Sequence, residues 1–69
     1  MKRTQAELEN IVYSQKAREK RNKLLVESDW TQVADAPVDQ AAWATYRQAL
    51  RDITAQDGFP KEVNWPVEP

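Results

Sequence analysis

Lys16, Arg18, Lys20, Arg21 and Lys23 place five positive charges within eight residues, with Glu19 alone opposing them. On a helix such a run could neutralise phosphates, which would make the chain a nucleic-acid binder. The run holds no aromatic side chain to stack on bases, however, and basic runs on helices commonly serve as solvated faces or ion-pair partners. Arg47 and Arg51, spaced i and i+4, form a second cationic pair that could contact a partner or bridge to Asp29, Asp35 or the C-terminal carboxylates. Exposed bridges of that kind are common and worth little. Trp30, Trp43, Tyr46, Phe59 and Trp65 could be a core or anchors in a protein contact, where Trp, Tyr and Arg are enriched. Trp43 reads as core, whereas Trp30 and Trp65, at loop positions, suit either role.

The missing residue types narrow the chemistry further. With no cysteine and no histidine, the nucleophilic dyads and triads built on those residues are excluded, as are thiolate and imidazole zinc sites. Ser, Thr, Lys and carboxylate chemistry would remain, but it needs a cleft of roughly several hundred Å³. A 69-residue chain has little volume for one. No enzyme activity, cofactor, metal or small-molecule substrate is therefore expected. A core in a chain this short supplies only about 3–5 kcal/mol unless something braces it. Without disulfide or metal, the brace must be packed aromatics or a second protein.

Thr4, Gln5, Ala6 and Glu7 fit a capping box, and no Gly or Pro follows until beyond Glu27. The pattern predicts a long helix over residues 4 to 27. Its apolar stripe is broken: Leu8, Ile11 and Val12 form one patch, and Leu24, Leu25 and Val26 another. Gln15, Arg18 and Asn22 lie between them, which is too polar for a coiled-coil seam. The first half of this helix is expected to find its apolar contacts in another chain. Ser28 to Gln32 end the helix by competing for backbone hydrogen bonds, and a loop through Asp35, Ala36 and Pro37 follows. Asp39 is the expected N-cap of a second helix, over residues 39 to 54. There Trp43, Tyr46, Leu50 and Ile53 repeat at spacings of three, four and three on one face. Gly58, the only glycine, breaks the pattern, and the tail from Phe59 onward holds three of the four prolines. Such a segment is extended, able to strap a helix or to meet a partner's sheet edge.

Charge is unevenly spread. Residues 1–23 carry seven Lys/Arg against three Glu, a surplus of +4, and residues 24–69 carry three against eight, a deficit of −5. No stretch approaches the roughly 18 apolar residues of a membrane span, and the charged start has no signal-like apolar region. No membrane partner is expected, and the cytoplasm is the expected location.

Three blocks in order carry a family resemblance. Arg21, Asn22, Leu24 and Leu25 lead into Ser28-Asp29-Trp30-Thr31-Gln32; Trp43 leads into Tyr46-Arg47-Gln48 and Leu50-Arg51-Asp52-Ile53; Phe59-Pro60 leads through Val63 to Trp65-Pro66. Joined by Asp35-Ala36-Pro37, they resemble the phage tail assembly chaperone family over residues 18 to 69. The resemblance implies a non-enzymatic protein that binds a tail fibre or other tail protein, the preferred partner being a trimeric fibre. It implies the host cytoplasm during assembly, with retention in the virion tail as the alternative. A permanent structural subunit of the fibre and a small nucleic-acid-binding regulator are the rival functions. Residues 1 to 17 lie outside the pattern and are read as a partner-binding arm. The expected fold is mainly α: a two-helix antiparallel hairpin with the Pro/Trp-containing tail packed on it. Partner-facing candidates are Leu8, Ile11, Val12, Trp30, Arg47, Arg51 and Trp65.

Overall fold

The computed structural model describes residues 2–69, so Met1 of the expected arm lies outside the described residues. Those residues form two α-helices and no strand: α1 spans Gln5–Ser28 and α2 spans Gln40–Arg51. A single 3-10 turn follows each, Asp29–Gln32 after α1 and Asp52–Ala55 after α2. The helical hairpin expected from the sequence is present. None of the helices is long and apolar enough to cross a membrane.

Both helix starts follow from side-chain chemistry. The Thr4 hydroxyl accepts a hydrogen bond from the Glu7 amide at 3.1 Å, and the Asp39 carboxylate accepts one from the Ala42 amide at 3.1 Å. Each satisfies an amide that a helix start leaves unpaired. α1 ends at Ser28, where the run from Ser28 to Gln32 is expected to end it, and the chain tightens there into a 3-10 turn. The Ser28 hydroxyl donates back to the Leu24 carbonyl at 2.8 Å, and the Thr31 hydroxyl donates to the Ser28 carbonyl at 2.6 Å. Hydroxyls bonded to the preceding turn favour the 3-10 geometry seen here.

The loop into α2 is closed by two glutamines. Gln32 donates its amide to the Gln40 carbonyl at 3.3 Å, and Gln40 donates to the Val33 carbonyl. Within it, the Ala36 amide donates to Val33 at 3.1 Å, and Pro37 sits just ahead of α2. So short a connection turns the helices antiparallel.

At ~1.5 Å per residue, 24-residue α1 is about twice as long as 12-residue α2. The N-terminal half of α1 therefore projects past the hairpin. The radius of gyration is 14.9 Å and the extents are 53 × 19 × 14 Å, against about 11 Å for the radius of a compact domain of this length.

The core sits at the hairpin end. Leu50, Ile53 and Thr31 are fully buried, with Tyr46 and Ala17 nearly so. Trp43 departs from the core position expected of it and is only partly buried. Its ring meets Tyr46 edge-on at 5.5 Å and Trp30 at a 51° tilt and 6.4 Å. The three rings form a row running outward from the core. Leu50 and Ile53, further along the same face, take the buried positions instead.

The tail is folded back rather than left extended into solvent. Gln56 and Asn64 exchange two hydrogen bonds of 2.8 Å, closing residues 56–64 into a loop. Within it, the Glu62 amide donates to the Gly58 carbonyl at 2.8 Å. A Cβ at position 58 would stand 2.6 Å from the Glu62 carbonyl oxygen. This close backbone approach, rather than an unusual φ, is why glycine stands there.

Candidate functional site

Of the cations that the sequence offers, Arg47 is the one drawn inside. It lies at i+4 from Trp43 and i−3 from Leu50, within the apolar stripe of α2, and is 8% exposed. Its guanidinium donates to the Leu25 carbonyl at 2.6 Å, the Ser28 hydroxyl at 2.7 Å and the Asp29 carboxylate at 2.7 Å. These acceptors stand at the C-terminal end of α1, where carbonyls lack intrahelical partners and the helix dipole favours positive charge. Arg47 thus ties α2 to the end of α1. Arg51, one turn further on, is exposed.

The basic run is largely accounted for within the chain. Arg18 lies over the Phe59 ring at 5.9 Å and Lys20 over the Trp65 ring at 4.5 Å, so two of its charges hold the tail on α1 by cation–π attraction. Lys23 meets Glu27 at 3.8 Å, and Arg21 bonds Asn22 at 3.1 Å. Lys16 alone in the run has no such contact among the described residues.

Behind the tail, Tyr46 is almost wholly buried, and burial pushes its phenol above the ordinary value of 10.0. The carboxylates of Glu68 and Glu27 add to the effect by opposing a phenolate. A raised pKa in the folded chain contributes stability that is present below pH 10.0 and lost as pH rises through the folded value. We expect Tyr46→Phe to match the wild type in urea denaturation near neutral pH and to lose less stability above about pH 10. Parallel losses in the two proteins would remove Tyr46 as a source of alkaline instability.

Apart from Val67 in the tail, the large apolar side chains left to solvent fall in two places. On the projecting arm, Leu8 and Val12 are each 48% exposed and Tyr13 is 39% exposed. With Gln5, Glu9 and Lys16 they line an open groove of about 280 Å³ on one helical face. Ile11 is half-buried and lies off that face. At the hairpin end, Trp30 is 52% exposed, with Val26 and Val33 also open to solvent. Trp65, the other aromatic candidate, is half-buried under Lys20. The structure therefore brings Leu8 and Val12 together, sets Trp30 apart at the other end, and gives Arg47 an internal role. Tyr13 was not among the sequence candidates. Its signal was present, since a residue five beyond Leu8 and beside Val12 widens the same helical stripe.

The structure is thus a helical hairpin tied by Arg47 at the end of α1, with an arm whose apolar face stays exposed among the described residues. The sequence matches the phage tail assembly chaperone protein family over residues 14–69, and the chain belongs to that family. No curated protein and no solved structure matches it. Membership supplies the general role, assisting assembly of a phage tail and binding a tail protein to do so.

Proposed function

We propose that this protein binds a phage tail fibre protein in the host cytoplasm and covers its apolar surface while the fibre chains fold and trimerise. It acts by contact, without catalytic turnover, and leaves the fibre before the particle is complete. The supporting observation is the arm: Leu8, Val12 and Tyr13 remain substantially exposed on one face of a helix that the other described residues do not cover. A contiguous apolar face rimmed by polar residues marks an interaction site. Helix-borne anchors at i and i+4 are a common means of gripping another protein.

Co-expression with the tail fibre protein of the same phage tests the reading. A complex that survives gel filtration, and a higher yield of trimeric fibre than the fibre gives alone, are the expected results. A fibre that trimerises equally well alone and forms no complex would refute it. The protein should be missing from purified virions; its presence there would instead make it a permanent subunit.

A further inference from the structure

The exposed face of α1 does not stop at the arm. Tyr13 and Lys16, which line the arm groove, also line a second groove of about 340 Å³ whose far wall is the tail residues Pro60, Val63 and Trp65. Ala17 forms part of its lining. The two grooves adjoin at Tyr13 and Lys16, and together they form a trough along α1 from Leu8 to Lys20, roughly 18 Å at the helical rise. Its charges are nearly all of one sign: Lys16, Lys20 and Lys61 line it, with Glu9 the single carboxylate at one end. None of these lysines forms an ion pair among the described residues.

Building on the reading that the chain binds a tail protein, we infer that this trough receives one acidic, amphipathic helix of about three turns from its partner. Aliphatic side chains of that helix would seat on Leu8, Val12, Tyr13 and Trp65, and its carboxylates would meet Lys16 and Lys61. The trough's lysines, gathered at the end formed by Lys16, Lys20 and Lys61, select the sign of the charge there, because a cationic occupant would be repelled at that end. The same lysines disfavour a second copy of this chain docked in parallel, since Lys16, Lys20 and Lys61 would then face their own counterparts.

The probe is a fluorescent designed helix of about 18 residues, long enough to hold helical structure, with a leucine stripe and a glutamate-rich polar face. Its counterpart carries lysine in place of glutamate. The glutamate peptide should bind at least ~10-fold more tightly than the lysine peptide. Lys16→Glu with Lys61→Glu should reverse that order, and Val12→Asp should abolish binding of both. All three positions are exposed, and circular dichroism will verify that the variants fold. Equal affinity for the two peptides, or binding unaffected by Val12→Asp, overturns the inference. So does a wild-type dimer that Val12→Asp dissociates, because it would assign the trough to a second copy. Glutamate-peptide binding without fibre binding upholds the trough and rejects the fibre as partner. A fibre that binds the trough variants undiminished keeps the fibre as partner and overturns the trough.

Discussion

Arg47→Ala is expected to lower the unfolding free energy by about 3 kcal/mol, enough to leave so small a domain largely unfolded at physiological temperature. The magnitude follows from where the acceptors lie. Hydrogen bonds from a charged donor to shielded acceptors contribute roughly 1.5–3 kcal/mol each. The bonds to the Leu25 carbonyl and the Ser28 hydroxyl are of that kind. The ion pair with Asp29 contributes less, because the Asp29 side chain is 62% exposed while that of Arg47 is 10% exposed. Asp29→Ala should therefore cost under about 1 kcal/mol. Arg47→Lys should fall between the two, since one ammonium cannot span acceptors that the planar guanidinium reaches together. Urea midpoints for the three variants, compared in an osmolyte that refolds the weakest, would test the order. A loss from Asp29→Ala as large as that from Arg47→Ala would mean that the surface pair, rather than the bonds to the end of α1, ties the hairpin.

The hairpin was legible because its signals are local. Thr4 and Asp39 announce helix starts by their own side chains, and Tyr46, Leu50 and Ile53 repeat at spacings that only a helix aligns. Burial within that stripe was harder to read. Periodicity ranks positions by angle, and it placed Trp43 in the core with Leu50 and Ile53, whereas the fold buries those two and leaves the indole at the edge. Arg47 shows the converse. Its angle puts it within the stripe, but a charge is buried only where acceptors await it, and those acceptors belong to the distant turn at Leu25 to Asp29. The basic run misleads for a related reason: Phe59 and Trp65, rings that lie under two of its charges, are some forty residues further along the chain. The open face of the arm was readable from Leu8 and Val12. Its continuation along the tail depends on the fold-back at Gln56 and Asn64, which no spacing announces.

Leu50→Ala should destabilise the domain by about 2–5 kcal/mol, while Leu8→Ala, the same chemical change, should cost less than about 1 kcal/mol. Leu50 is 0% exposed, so removing its methyl groups leaves a cavity that the rest of the core can fill only by moving. Leu8 is 48% exposed on a helix face with no neighbour above it, so truncation there removes little buried area and opens no cavity. Binding should reverse the ranking. Leu8→Ala takes an apolar seat from the arm and should weaken a complex formed there. Leu50→Ala, held folded by osmolyte, should bind as the wild type does because the arm lies beyond the core. Thermal melts and fibre pull-downs of the two variants separate these effects. If Leu8→Ala lowers the melting temperature as far as Leu50→Ala, the arm is packed within the chain rather than open, and the binding surface must be sought elsewhere, with exposed Trp30 and Val33 at the hairpin end the next candidates.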